Sequence, residues 1–227
     1  MHPLSHLIRQ QLKEHADPDK AGPMQAYMKT DQPFYGVQAG VRKKLLKAAT
    51  KDFKNIRRQE YEQIVLELWE GKYREEMYQA LEVACHYKKF RDEASWPLYE
   101  KLTRSATWWD TLDWIAGHLV GLLVLEHRHL ETNLTNWSED PNLWVRRASL
   151  LAHLKHKETT NTKLLTDTIL KLCHEQEFFI RKAIGWALRQ YSHTNPKWVK
   201  DFVSKHEQKL SGLSKREALK HIQRKRL

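Results

Sequence analysis

The sequence predicts an all-α fold built from stacked helical repeats, and three observations support this fold class. Apolar residues recur with the roughly 3.6-residue spacing of a helix face along nearly the whole chain of 227 residues. Alternating apolar and polar strand patterns with hairpin turn signals are absent. A short motif recurs at residues 146, 181 and 216, and a repeat of this size corresponds to a pair of helices.

The individual helices follow from this spacing and from the prolines that interrupt it. The pattern is clearest in residues 60–69, 73–87 and 97–104. The apolar face of the first segment consists of Tyr61, Ile64, Val65, Leu68 and Trp69. Breaks between helices are expected at Asp17-Pro18, Gln32-Pro33, Asp140-Pro141 and Asn195-Pro196.

The repeated motif is Arg-x-Ala, and it begins at Arg146, Arg181 and Arg216. A helical unit of about 35–45 residues is typical of HEAT-like helix pairs, which cannot bury an apolar face alone and therefore stack on one another. We expect HEAT-like repeats stacked into a curved α-solenoid that forms a single domain over residues 1–227. The equivalent helix of each repeat is expected to line a concave surface.

The chain is strongly basic, since 39 Lys and Arg against 28 Asp and Glu give a formal net charge of +11. Such an excess indicates a polyanionic partner, most often nucleic acid. Basic residues recur at the repeated register, and on a concave face they would form a ladder of cations suited to a phosphate backbone. These residues are Arg146, Arg147, Arg181, Lys182 and Arg216. The alternative is that they form the solvated face of a protein that is simply basic.

Several absences narrow the class of protein. No apolar run reaches the ~18–20 residues of a membrane span, and the first residues lack the basic and apolar regions of a secretory signal. Cys85 and Cys173 match no metal or redox spacing and are expected to be reduced, buried thiols. His153 and His156 lack further metal-ligating partners. We therefore expect a cytoplasmic protein with no membrane attachment, metal ion or cofactor.

The segment 108–114, Trp-Trp-Asp-Thr-Leu-Asp-Trp, departs from the repeat pattern. Asp113 occupies the register at which later repeats have alanine, and Trp109 lies one turn before it on the same helix face. Such a departure tends to mark a functional position. On a later helix, Trp186 follows Gly185, and a glycine in a helix interior costs about 1 kcal/mol. Such a glycine usually either lets a neighbouring element pack closely or leaves the adjacent surface accessible. The tryptophans expected in the core are Trp108, Trp114 and Trp144.

The residue types around Asp113 favour one kind of chemistry. Nearby cations would keep the carboxylate ionised, and an ionised carboxylate beside aromatic ring faces stabilises positive charge. This arrangement suits a reaction with a cationic transition state, such as cleavage of a glycosidic bond through an oxocarbenium ion. No Ser–His or Cys–His pair suggests acyl transfer. The alternative role for Asp113 is a structural salt bridge or a helix cap.

Six segments that are distributed along almost the whole chain carry a more specific sequence pattern than any single motif. They are residues 23–29, 34–38, 108–113, 142–148, 178–189 and 213–218. On these segments the chain resembles the AlkD family of alkylpurine DNA glycosylases, which are HEAT-like repeat proteins. The resemblance implies a catalytic trio of Trp109, Asp113 and Trp186. It also implies that Arg147 is the arginine on the lesion side and that Gln38 and Tyr27 lie near the DNA.

The resemblance further implies a substrate and a mechanism. The substrate is double-stranded DNA with a purine methylated at N3 or N7, such as 3-methyladenine or 7-methylguanine, and the base is released during base excision repair. The two indole rings and Asp113 would stabilise the oxocarbenium ion, and Asp113 would position the attacking water. We find no candidate general acid for the leaving base, so only cationic or otherwise labile bases should be released. We expect a monomer without an obligatory protein partner, in the bacterial cytosol or associated with the nucleoid.

Two other functions are compatible with this fold. One is a non-catalytic DNA-binding protein of the same architecture, which measurement of base release would distinguish from an enzyme. The other is a protein-binding HEAT scaffold, which predicts apolar anchors and a weak salt dependence of any DNA affinity. A DNA-binding protein predicts a strong salt dependence, because binding releases counterions from the phosphates.

Overall fold

The computed structural model describes residues 1–224, which are grouped in two compact units, Met1–Arg91 and the described residues from Asp92 onward. Every regular element among the described residues is helical, and this confirms the all-α prediction. The expected single domain over residues 1–227 stays a prediction.

The first unit consists of the helices α1 (Pro3–Glu14), α2 (Pro18–Met28), α3 (Ala39–Ala49), α4 (Arg58–Trp69) and α5 (Arg74–His86). Helix α2 begins at Pro18 because proline suits the first turn, and the Asp17 side chain accepts a hydrogen bond from the Lys20 backbone amide. The apolar face that the sequence predicts for residues 60–69 is buried in α4, where Tyr61 and Ile64 have no exposed surface.

The second unit consists of α6 (Trp96–Ser105), α7 (Trp109–Trp114), α8 (Gly121–Glu126), α9 (Glu131–Trp137), α10 (Leu143–Leu151), α11 (Thr162–Leu172), α12 (Phe178–Tyr191), α13 (Pro196–Lys205) and α14 (Gly212–Arg224). A π-helical segment, Ile115–Val120, joins α7 to α8. Asparagine side chains accept hydrogen bonds from the first backbone amides of three helices, which fixes where these helices begin. These residues are Asn142, Asn161 and Asn195.

The repeated alanine of the Arg-x-Ala motif lies where the helices of successive repeats approach one another. Ala148, Ala183 and Ala218 belong to α10, α12 and α14, and all three side chains are fully buried. Helix α12 packs against both α10 and α14. The period of the motif therefore reflects the close packing of equivalent helices.

Gly185 lets a neighbouring helix pack closely and does not serve to leave the adjacent surface accessible. A Cβ atom at this position would lie 2.5 Å from the Glu217 Cβ and 2.9 Å from the Ser214 carbonyl oxygen. Both residues belong to α14, so the glycine allows α14 to approach α12 this closely.

Replacing Gly185 by alanine should therefore destabilise the protein, because α14 must shift to accept the methyl group. We expect a loss of about 1–3 kcal/mol in the free energy of unfolding, measured by urea denaturation. The matched control is Gly40→Ala, since a Cβ there has no heavy atom within 4 Å. This control should keep or slightly raise stability, and equal stability of both variants would contradict the packing role.

Two buried histidines lie in the segment after α10. His153 has 4% of its surface exposed, and neither of its ring nitrogens has a hydrogen-bond partner among the described residues. The His156 Nε2 atom lies 2.8 Å from the Gly121 carbonyl oxygen. Burial, with smaller contributions from His156 and Arg128, lowers the pKa of His153 from 6.5 to about 3.

The protein should lose stability on acidification because of His153. The unfolded chain takes up a proton at this histidine below pH 6.5, whereas the folded protein does so only near its lowered pKa. Each pH unit within that window should cost about 1.4 kcal/mol of unfolding free energy. Urea midpoints of wild type and His153→Leu at pH 7 and pH 5 test this, with the exposed His174→Leu as control. An unchanged pH dependence in His153→Leu would contradict the assignment.

Within the described part of the chain, no helix combines the length and apolar composition of a membrane span. Cys85 and Cys173 are free thiols, but they are half-buried rather than buried as expected.

Candidate active site

Trp109, Asp113 and Trp186 come together at one cavity of about 300 Å³ in the second unit. Trp109 and Asp113 lie one turn apart on α7, and Trp186 comes from α12. Both indole rings are half-buried, so each presents part of its surface to the cavity. We call this space the indole cavity, and its other lining residues are Arg147, Phe178, Phe179, Lys182 and Arg189.

A buried arginine holds the carboxylate of Asp113 in place. The Nε and Nη2 atoms of Arg147 each donate to one carboxylate oxygen of Asp113, at 2.8 Å. The remaining nitrogen, Nη1, donates to the Phe179 backbone carbonyl. Arg147 is 3% exposed and Asp113 is 12% exposed. The carboxylate is therefore fixed in a bidentate ion pair that is largely withdrawn from water.

Two opposing effects set the charge state of Asp113. Burial raises the pKa of its carboxyl group, and Asp110 raises it further. The Arg147 guanidinium lowers the pKa through both hydrogen bonding and charge. The pKa lies above its ordinary value, and the bidentate ion pair with Arg147 opposes the effect of burial by favouring the ionised form.

The structure gives Arg147 a task that the sequence did not predict. All three of its guanidinium nitrogens are engaged within the protein, two by Asp113 and one by the Phe179 carbonyl. Arg147 therefore orients Asp113, and its contact with DNA on the lesion side stays a prediction.

Most of the predicted ladder of cations is paired with nearby carboxylates. Arg146 forms a bidentate ion pair with Glu175, at 2.8 and 3.0 Å, and Arg181 donates to the Glu175 backbone carbonyl. Lys182 pairs with Glu217 at 2.8 Å. The remaining member of the ladder, Arg216, is exposed and has no ion pair among residues 1–224.

An aromatic cluster supports the start of α7 and α12. The ring centroids of Trp144 and Phe179 lie 5.0 Å apart, and those of Trp108 and Phe179 lie 5.7 Å apart. Trp108 and Trp144, expected in the core, are half-buried in this cluster. Phe178 is 58% exposed and lies at the rim of the indole cavity.

A second cavity of about 360 Å³ shares Asp113 and Trp186 with the indole cavity. Its other lining residues are Trp114, Gly117, His118, Leu154, Lys155 and Gln190. Trp114, which was expected in the core, is half-buried in the wall of this cavity. Gly117 and His118 belong to the π-helical segment, and such segments often occur at functional sites.

Tyr27 and Gln38 lie together in the first unit, where both line a cavity of about 460 Å³. Tyr27 is 77% exposed, and Gln38 is the exposed residue before α3. Their proximity to DNA stays a prediction.

A buried carboxylate orders the loop that precedes Gln38. Glu75 has no exposed surface and accepts hydrogen bonds from the backbone amides of Tyr35, Gly36 and Val37, at 2.9–3.1 Å. Gly36 has a φ angle of 86°, which favours glycine. Sequence reasoning missed Glu75, since its only signal is a place among the acids in the first turn of α5.

Among the described residues, no group of three or more His, Cys, Asp or Glu side chains is arranged to hold a metal ion.

The chain is similar to known proteins along most of its length. The family profile described as DNA alkylation repair enzyme matches residues 8–222. A solved structure, described as a predicted DNA alkylation repair enzyme from Enterococcus faecalis, shares 31% sequence identity and has a TM-score of 0.84. The similarity covers 91% of this chain and 96% of that chain. No curated protein matches the chain significantly.

Proposed function

The chain belongs to the DNA alkylation repair enzyme family, and from this premise we propose that it is a DNA glycosylase. Its substrates are cationic alkylated purines of the 3-methyladenine and 7-methylguanine type in double-stranded DNA, and it releases them during base excision repair. It acts as a monomer in the bacterial cytoplasm, without a cofactor or an obligatory protein partner.

One observation supports this proposal most strongly. A carboxylate fixed by a buried arginine faces a cavity that is also lined by two half-buried indole rings. Such a cavity stabilises a positive charge that develops between the rings and the carboxylate.

The reaction follows from this geometry. The bond between the sugar C1′ atom and the purine nitrogen breaks, and the electron pair leaves with the base, whose positive charge it neutralises. The sugar becomes an oxocarbenium ion, which the Trp109 and Trp186 ring faces and the Asp113 carboxylate stabilise. Water held by Asp113 attacks C1′, and the proton that it loses passes to the surrounding water, which leaves an abasic site.

The range of substrates is limited by the absence of an acid for the leaving base. Asp113 is the one acidic side chain among the residues that line the indole cavity, and it is required as an anion. A neutral base would leave as an anion that nothing protonates, so its release is slow. Cationic bases do not need this proton.

Base release from two duplexes tests the proposal. One duplex contains N7-methylguanine and the other contains uracil. After incubation with the purified protein, the strands are cleaved at abasic sites with alkali. We expect cleavage of the first duplex and none of the second above the protein-free background. Equal release of both bases would contradict the mechanism. Binding without release of either would identify a non-catalytic DNA-binding protein, and DNA affinity that is insensitive to salt would favour a protein-binding scaffold.

A further inference from the structure

Lys155 differs from the other cations that line the two neighbouring cavities. Arg147 is paired with Asp113, while Lys182 and Arg189 are both paired with Glu217. Lys155 lines the second cavity, is exposed, and has no ion pair among residues 1–224. Its charge is therefore available to an anion from outside the protein.

The remaining walls of the second cavity are mainly apolar. Trp114 and Trp186 contribute indole rings, and Leu154 contributes an aliphatic side chain. Gly117 contributes no side chain, and a Cβ there would meet only the Leu154 Cδ1 atom, at 3.8 Å. His118 adds a ring whose pKa is lowered, first by burial and then by Lys155, so Lys155 provides the positive charge of this cavity at neutral pH.

An apolar wall with one cation at its edge matches the chemistry of a sugar joined to a phosphate. The C–H groups of a deoxyribose suit indole faces, and a phosphate oxygen suits a lysine ammonium group. A free nucleobase would leave the charge of Lys155 without a counterpart, and an inorganic anion would not use the aromatic walls.

We infer that the second cavity binds the sugar–phosphate unit next to the damaged nucleotide on the same strand, with Lys155 pairing with its phosphate. The inference rests on the proposed function, which puts the damaged sugar in the indole cavity. Because Asp113 and Trp186 line both cavities, the two sites are adjacent, as consecutive nucleotides of one strand require.

Neutralising single phosphates tests this inference. The probe is a duplex with a tetrahydrofuran residue in place of the damaged nucleotide, and each phosphate near it is replaced in turn by an uncharged methylphosphonate. For the wild type, we expect a several-fold loss of affinity when one particular phosphate beside the tetrahydrofuran residue is neutralised. Lys155→Gln should lose a similar factor on the unmodified duplex and should show no further loss at that phosphate.

The control is Lys200→Gln, which removes one exposed positive charge from α13, away from the lining residues of both cavities. It should keep the wild-type response at that phosphate. The slope of log K against log salt concentration should fall by about 0.9 in Lys155→Gln, as expected for one lost phosphate contact. The inference is overturned if each methylphosphonate replacement near the tetrahydrofuran residue lowers the affinity of Lys155→Gln by the same factor as it lowers the affinity of the wild type.

A second pair of variants tests the cavity rather than its charge. Gly117→Leu places an isobutyl group in the second cavity and should weaken binding of the same duplex several-fold. Gly117→Ala has room for its methyl group and should bind as the wild type does. Wild-type affinity of the leucine variant would show that the cavity is empty in the complex and would overturn the inference.

Failure of this inference and failure of the proposed function give different results. The inference alone is overturned if N7-methylguanine is released but the affinity losses from Lys155→Gln and from each methylphosphonate are independent. The glycosylase proposal is overturned if no base is released, and a DNA-binding site at the second cavity remains if the two affinity losses still depend on each other.

Discussion

Replacing Asp113 by asparagine should slow the release of N7-methylguanine by about 10²–10³-fold, because the variant loses the negative charge that faces the oxocarbenium ion. Asparagine has nearly the same shape, and its carbonyl oxygen can still accept a hydrogen bond from Arg147. DNA affinity should stay the same or rise slightly, since one negative charge is removed from a site that binds a polyanion. Single-turnover base release and equilibrium binding measured on the same preparation separate these two effects.

The control for this variant is Asp167→Asn, a carboxylate on α11 that is 57% exposed and paired with Lys163. It should release N7-methylguanine at the wild-type rate. Full activity of Asp113→Asn in a folded protein would show that the carboxylate has no part in the reaction.

The pH dependence of the wild type provides a further check on Asp113. Only the ionised carboxylate stabilises the oxocarbenium ion, so activity should be present above its pKa and lost as the pH falls through it. Since burial raises this pKa, the loss should begin at a higher pH than for a carboxyl group in water. Asp113→Asn should not show this acid limb.

Replacing Arg147 by glutamine should destabilise the protein by about 3–5 kcal/mol, because a carboxylate that is only 12% exposed is then left without a counter-ion. The free energy of unfolding can be measured by urea denaturation. The control is Arg104→Gln, since Arg104 is 46% exposed and pairs with Asp140 and Glu100 at the surface. That variant should lose no more than about 1 kcal/mol.

A positioning role for Arg147 has a consequence beyond stability. Without the guanidinium, the pKa of Asp113 should rise further, so the acid limb of base release should move to higher pH. Arg147→Lys keeps the charge but not the two parallel hydrogen bonds, and its acid limb should lie between those of the wild type and Arg147→Gln. An unchanged acid limb and unchanged stability would contradict the positioning role of Arg147.

The helices and the position of the candidate site could be predicted from the sequence, because both depend on local spacing. The apolar face of α4, the proline at the start of α2 and the Arg-x-Ala period each act within a few residues or repeat at a fixed interval. The aspartate among tryptophans was visible because it broke that interval. The resemblance to a known family then implied that Trp186 is its companion.

Other features of the site could not be read from the sequence. The ladder Arg146, Arg147, Arg181, Lys182 and Arg216 was visible as a row of charges, but the sequence could not show which of them are paired. Trp114 was predicted to be a core residue, although it forms a wall of the second cavity. Glu75 was visible only as one of the acids in the first turn of α5, although it orders the loop before Gln38.

The sequence by itself thus determined which residues form helices and that Asp113 lies between Trp109 and Trp114 in the chain. Only the tertiary structure decided which charges neutralise one another and which have no ion pair among the described residues. The physical reason is that an ion pair depends on a separation of a few ångströms between side chains, and Asp113 and Arg147 are 34 residues apart in the chain. Their encounter depends on how the helices pack against one another, and so does the position of Lys155, which has no ion pair among residues 1–224.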